Sequence, residues 1–299
     1  MKAVLDNAVA EVGKVLLGKE AQIRLALACI LCRGHLLIED LPGMGKTTLS
    51  HALAAVLGLS YKRIQFTSDL LPADVLGFNL YDRQLGEFIF HPGPVFSQVV
   101  LADEINRATP KAQSALLEAM EERQVSIEGE TRKLPSPFFV IATQNPSDQA
   151  GTFILPESQT DRFLMRIHLG YPSREAEREL LLGQDRRELL SQLQPCLAGE
   201  DLEAAQQAVL SIHVSPQLLD YVQKIIDFTR QQGGSRGGLS PRGGIALLRA
   251  SQAWALMSGR QHVLPDDVQA VLGPVIDHRV PISGGIPLSS KVLQEVDIM

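Results

Sequence analysis

The first half of the chain alternates short apolar runs with segments whose apolar positions recur every three to four residues. "HLLIED" (His35 to Asp40) reads as a buried strand, and "YKRIQF", "VVLADE", "FFVIATQ" and "LMRIHL" read as the second to fifth strands. Between them, "GKTTLSHALAAVLG" and "TPKAQSALLEAMEE" have helical spacing. In the second of these Ala112, Leu116, Ala119 and Met120 share one face, and Thr109 stands ahead of Pro110 as an N-cap before a first-turn proline. Strands alternating with helices predict an α/β fold with a doubly wound parallel sheet. After "YPSREAE" (Tyr171 to Glu177) the strand signals fade. "REAERELLLGQDRRELLSQL", "EDLEAAQQAVLSI", "SPQLLDYVQKIIDFTR" and "GGIALLRASQAWALMSGR" then read as amphipathic helices, with "QQGGSRGGLSPRGG" (Gln231 to Gly244) as a flexible loop between the last two. A boundary near Pro172 therefore divides an α/β domain (1–171) from an all-helical one (172–299).

Two places in this pattern carry chemistry. "IEDLPGMGKTTLS" follows the first strand and opens a helix, the setting a phosphate-binding loop requires. Gly43 and Gly45 let the backbone curl so that successive N–H groups point inward, and the helix N-terminus adds partial positive charge. Lys46 is placed to reach the β- and γ-phosphates, and the Thr47 hydroxyl to ligate Mg²⁺. The strict pattern GxxxxGK[ST] has glycine where this chain has Asp40. The third strand ends in two adjacent carboxylates, Asp103 and Glu104, which are costly to bury unless something pairs with them. Ligands of parallel sheets bind at the carboxyl ends of the strands. If the third strand lies beside the first, Asp103 holds Mg²⁺ and Glu104 orients and deprotonates an attacking water.

"FFVIATQNPSDQ" repeats the logic, ending in Gln144 and Asn145, where an amide can position the lytic water. Taken alone, Asn-Pro there is an ordinary strand-to-turn signal. Arg162 in "PESQTDRF" and Arg242 in "LSPRGG" read as solvated surface charges unless a neighbouring subunit or the helical domain brings one to the γ-phosphate.

Composition changes this picture little. The chain has 299 residues, 45% of them hydrophobic, an ordinary globular balance. No apolar run approaches the roughly 18 residues needed to span a bilayer. The acidic N-terminus lacks a secretory pattern, so a cytoplasmic protein is expected. A net charge of -6 weighs against a dedicated nucleic-acid binder. Cys29 and Cys32 form a CxxC inside an apolar helical run, which reads as packing rather than redox or zinc chemistry.

"LPGMGKTT", "VVLADEINRATPKAQSALLEAMEERQV", "PFFVIATQNP" and "LPESQTDRF" together resemble the MoxR family of AAA+ ATPases, as do "TSDLLPADVLGF" and "HPGPVFSQ". Asp40 is no departure within that family. The resemblance implies an AAA+ α/β domain followed by a helical lid, assembled into a ring, usually a hexamer. It places Lys46 and Thr47 on Walker A, and Asp103 and Glu104 on Walker B. Asn145 falls on sensor 1, Arg162 on the arginine finger and Arg242 on sensor 2. ATP and Mg²⁺ are implied, with the adenine near Gly18 and the phosphates on Pro42, Gly43, Met44, Gly45, Lys46, Thr47 and Thr48. "TSDLLPADVLGF" contains a helix-2 insert and "QVSIEGETRKLP" a β-hairpin, both facing the ring axis. Family members resemble chaperones that mature protein complexes, often with a von Willebrand factor A-domain partner. A nucleotide-gated switch with little hydrolysis and a nucleic-acid motor are the competing readings. Glu104 and Asn145 weigh against the first, and the acidic balance against the second. No NKxD-type stretch points to guanine. The client protein is not legible.

Overall fold

Each of the five apolar runs becomes a strand of one sheet. The computed structural model describes residues 1–146, 152–183, 186–197, 199–232, 237–280 and 286–298. Helices α1 (Lys2–Val15) and α2 (Glu20–Leu31) lead into β1 (Leu36–Glu39), α3 (Lys46–Val56) and β2 (Tyr61–Gln65). A short α4 (Pro72–Leu76) opens a hairpin of β3 (Gly77–Asp82) and β4 (Glu87–Pro92). Next come β5 (Val99–Asp103), α5 (Pro110–Glu122), a second hairpin of β6 (Gln124–Ile127) and β7 (Glu130–Lys133), β8 (Phe139–Gln144), α6 (Glu157–Thr160) and β9 (Met165–Ile167). Every described element after β9 is helical: α7 (Arg174–Leu182), α8 (Arg186–Gln192), α9 (Glu200–Leu210), α10 (Pro216–Gln232), α11 (Pro241–Met257), α12 (Pro265–Ile276) and α13 (Leu288–Glu295).

The sheet order is β2-β5-β8-β1-β9, all parallel. This corrects one expectation. β5 does not lie beside β1, because β8 is inserted between them, with Ile141 opposite Leu36 on one side and Leu101 on the other. Side chains of the central strands alternate between two cores. Leu36, Ile38, Leu101 and Ile141 face α1–α3 and the C-terminal helices, while Leu37, Val100, Val140 and Ala142 face α4 and α5. Both faces are covered, which accounts for the near-continuous apolar runs.

The loop expected over 231–244 is also shorter than read. α10 runs to Gln232, residues 233–236 lie outside the described set, and α11 starts at Pro241. The Ser240 hydroxyl accepts the Gly243 N–H at 3.1 Å, and a capped serine followed by proline starts a helix despite two glycines in its first turn. Those glycines serve close packing: a Cβ on Gly243 would lie 2.5 Å from Leu239 Cδ1, and one on Gly244 2.8 Å from Ile226 Cδ1. Cys29 is buried on α2, and Cys32 caps it and donates to the Arg249 carbonyl at 3.2 Å. Burial pushes the Cys32 thiol up to about 12 and Cys29 well above its ordinary value, the opposite of a redox cysteine. No described helix is long and apolar enough to cross a membrane.

Candidate active site

The turn from β1 to α3 is built on two left-handed glycines, Gly43 (φ 83°) and Gly45 (φ 92°). Gly45 has a second constraint, since a Cβ there would lie 2.7 Å from Leu16 Cδ1. That contact seats the turn joining α1 to α2, with Gly18 in it, against the loop. Gly45 caps α3 without a side-chain acceptor, so the first amides of the helix remain available to an anion. Lys46 is buried and donates to the Asp40 carbonyl at 2.5 Å. Burial lowers its pKa, against the pull of Asp103, Asp40 and Glu104, so the ammonium already lies in the field of these carboxylates. Thr47, Pro42 and Gly43 are exposed, and Met44 and Thr48 half-buried.

Asp40, the residue standing where the strict motif has glycine, fastens the loop. Its Oδ1 accepts the Leu41 N–H at 2.9 Å and its Oδ2 the Gly170 N–H at 2.6 Å, joining the loop to the segment beyond β9. Both contacts are long-range or turn-specific and leave no signal in the sequence pattern.

At the end of β5 the two adjacent carboxylates are held apart by different partners. Asp103 Oδ1 accepts from the Thr143 hydroxyl at 2.5 Å, and its Oδ2 from Arg63 at 2.6 and 3.0 Å. The Thr143 oxygen in turn accepts the Glu104 N–H at 2.9 Å. Glu104 has φ 56° and ψ 49°, a left-handed conformation that costs roughly 1–2 kcal/mol for a residue with a Cβ. It turns the chain out of the strand, and its carboxylate accepts from Gln65 at 3.0 Å and Arg107 at 3.1 Å. Gln113 fixes the turn that follows, donating to the carbonyls of Ile105, Ala108 and Phe153. Arg63, Gln65, Thr143 and Gln113 were not singled out in the sequence. The polar positions at the end of β2 and the one hydroxyl within β8 were the available signals. For a divalent cation, the Thr47 hydroxyl and the Asp103 carboxylate are hard oxygen donors of the kind Mg²⁺ takes.

Because β8 lies between β1 and β5, Asn145, the residue that follows β8, sits between the phosphate loop and the carboxylates, and it is buried. Lys46, Thr47, Asp103, Glu104 and Asn145 are thus gathered at the carboxyl edge of the sheet. Arg162 and Arg242 are not part of that cluster. Arg162 donates to the Leu117 carbonyl at 2.7 Å and pairs with Glu121 at 3.0 Å, and Arg242 pairs with the same Glu121. Glu121 lies in the last turn of α5, which runs back from the carboxyl edge, and the cleft around it is lined by Gly34 and His35 just before β1 and Leu164 just before β9. Both arginines therefore stand at the amino edge, opposite this chain's own phosphate loop.

A parallel sheet with a phosphate loop after β1, an acidic pair at the end of β5 and a buried amide just after β8, with a helical domain following, is the arrangement of an AAA+ ATPase. Residues 35–165 match the ATPase family associated with various cellular activities (AAA), and residues 227–295 match the AAA lid domain. The chain is 46% identical to the uncharacterized protein YeaC of Bacillus subtilis over 93% of this chain and 87% of that one. It is 40% identical to the chaperone MoxR1 of Mycobacterium tuberculosis, over 93% and 76% respectively. A crystallised protein from Cytophaga hutchinsonii, described as a candidate ATPase, superposes with a TM-score of 0.90 at 36% identity, covering 100% of this chain and 96% of its own. The chain belongs to the MoxR family of AAA+ ATPases, with an α/β nucleotide-binding core followed by a helical lid.

Proposed function

We propose that this chain hydrolyses ATP with Mg²⁺ and uses the turnover to remodel, mature or activate a protein complex. The observation that carries the reading is the convergence at one sheet edge of the phosphate loop, Lys46, the Asp103–Glu104 pair and Asn145. Thr47 and Asp103 would hold Mg²⁺, which when bound would supply charge neutralisation for the phosphates. Lys46 exchanges its bond to the Asp40 carbonyl for the phosphates. Glu104 takes the proton of the attacking water, and Asn145 orients that water, while Gln65 and Arg107 hold the Glu104 carboxylate. The α/β domain is taken as residues 1–171 and the lid as 172–299, with the adenine near Gly18.

The amino-edge position of Arg162 and Arg242 supports action on a neighbouring subunit's nucleotide. A head-to-tail contact of this kind closes into a ring, here proposed as a homo-hexamer in the cytoplasm. The helix-2 insert of α4, β3 and β4 and the β6–β7 hairpin are proposed to face its axis. MoxR1 is called a chaperone, and the same role is proposed here, with a von Willebrand factor A-domain partner selecting the client. Glu104→Gln tests the chemistry. It should retain ATP binding and assembly while phosphate release stops, and turnover at the wild-type rate would remove Glu104 as the base.

A further inference from the structure

Glu121 lies at the end of α5, on the edge of the molecule away from the phosphate loop, and nothing in the proposed chemistry uses it. Its two oxygens accept from two different guanidinium groups. Oε2 accepts from Arg162, in the turn between α6 and β9, and Oε1 from Arg242, in the first turn of α11. One carboxylate thus joins the arginine of the α/β core to the arginine of the helical lid.

Stability does not explain this placement. All three side chains are partly exposed, at 29%, 49% and 33% for Arg162, Arg242 and Glu121, and ion pairs so open to solvent add little to stability. A carboxylate in the last turn of a helix also opposes the helix dipole. What the arrangement does supply is geometry. Each arginine has a long side chain with many rotamers, and a shared acceptor restricts both. Arg162 is further held by the Leu117 carbonyl at 2.7 Å, one turn before Glu121 on the same helix. Nearby, Asp161 accepts from Arg279 at 2.8 Å and from the Ser240 hydroxyl at 3.3 Å, a second tie between core and lid.

The cleft around this trio has a volume of about 290 Å³ and remains positive with Glu121 in place. Arg33, Arg123 and Arg249 also line it, and their guanidinium hydrogen bonds go to neutral groups: the Gln206 side chain, the Arg33 carbonyl and the Gln252 side chain. An anion is drawn to this edge whether or not Glu121 is charged. The contribution of Glu121 is therefore to orientation more than to attraction.

We infer that Glu121 is a positioning residue that sets Arg162 and Arg242 as one unit, aimed together at the terminal phosphate bound by the adjacent subunit. The inference rests on the trans reading of the two arginines given above. It makes lid and finger move together, so that a lid displaced from the core delivers neither arginine correctly. Misplacement of about 1 Å in such a group can cost up to a hundredfold in rate.

The test is steady-state ATP hydrolysis by the full chain at concentrations where sedimentation shows assembled rings. Glu121→Ala should lower kcat by about tenfold or more, leave the KM for ATP within twofold and leave the melting temperature nearly unchanged. Glu121→Gln keeps an acceptor oxygen and should recover part of the rate. It also carries the comparison if alanine weakens assembly. In an Arg162→Ala/Arg242→Ala background, Glu121→Ala should cause no further fall, because the groups it positions are gone. A wild-type kcat for Glu121→Ala alongside an impaired Arg162→Ala overturns the inference alone. So does an equal further loss in the double-arginine background. Full activity of Arg162→Ala would instead remove the trans reading, an outcome distinct from either.

Discussion

Thr143 shows how much of the site depends on a single side chain away from the recognisable motifs. Its hydroxyl donates to Asp103 and accepts the Glu104 N–H, so one oxygen sets both the Asp103 carboxylate and the Glu104 backbone. Thr143→Val preserves shape but leaves the Glu104 amide without its acceptor, at a cost of about 1–3 kcal/mol. The strained Glu104 conformation loses its support at the same time. The expected outcome is a fall in kcat of about tenfold or more with ATP affinity retained, read from phosphate release and nucleotide-binding titrations in parallel. An unchanged kcat would assign the bond to packing alone.

Among elements, α5 links the two edges of the sheet, and its far end is fixed by a histidine. His35 is buried just before β1. Its Nδ1 accepts the Val140 N–H at 3.0 Å, so Nε2 carries the proton and donates to the Met120 carbonyl at 3.2 Å. Burial, with the positive charge of Arg123, pulls its pKa down from 6.5 to about 4, against the Met120 carbonyl. The native state therefore binds fewer protons than the unfolded chain between these values. The stabilisation is complete above about pH 6.5 and is lost as pH falls toward 4. His278, hydrogen-bonded to the Phe163 carbonyl at 3.1 Å, is shifted in the same direction by burial and by Arg279. Urea midpoints should thus decline across this window. His35→Gln can make both hydrogen bonds without titrating, so its decline should be shallower. Identical profiles would separate His35 from the acid sensitivity.

For the whole molecule, the separation of the phosphate loop from the two arginines has a direct consequence. If each subunit supplies its arginines to the next, no single chain holds a complete site. Arg162→Ala subunits should bind ATP normally and hydrolyse little, and Lys46→Ala subunits should fail to hold nucleotide. Mixing the two should restore part of the activity, because some interfaces then pair an intact pocket with intact arginines. Absence of recovery across mixing ratios, with mixed rings confirmed, would count against action in trans. ATP held by Glu104→Gln should also favour the partner complex over ADP, since a nucleotide shifts an equilibrium only through its differential affinity for the two states. Pull-downs from native extract under the two nucleotides, followed by protein identification, measure this. Recovery of no von Willebrand factor A-domain protein in either state would end that assignment and leave the ATPase untouched.

What the sequence alone determined was local. The left-handed turns at Gly43 and Gly45, the apolar strands and the Thr109–Pro110 helix start each depend on a few adjacent residues, whose backbone preferences and side-chain periodicity are readable in order. The same kind of signal at Ser240–Pro241 is masked in the sequence by the surrounding glycines, which read as a loop. Those glycines in fact admit Leu239 and Ile226, contacts that only the folded chain supplies. Only the tertiary structure decided the long-range relations. Insertion of β8 between β1 and β5 places Asn145 between loop and carboxylates, an order that apolar runs of similar composition do not distinguish. Arg162 and Arg242, 80 positions apart in the numbering, share the carboxylate of Glu121 because α5 returns its last turn to the amino edge of the sheet. A charged side chain's role depends on what stands opposite it, and that is set by chain segments remote in sequence.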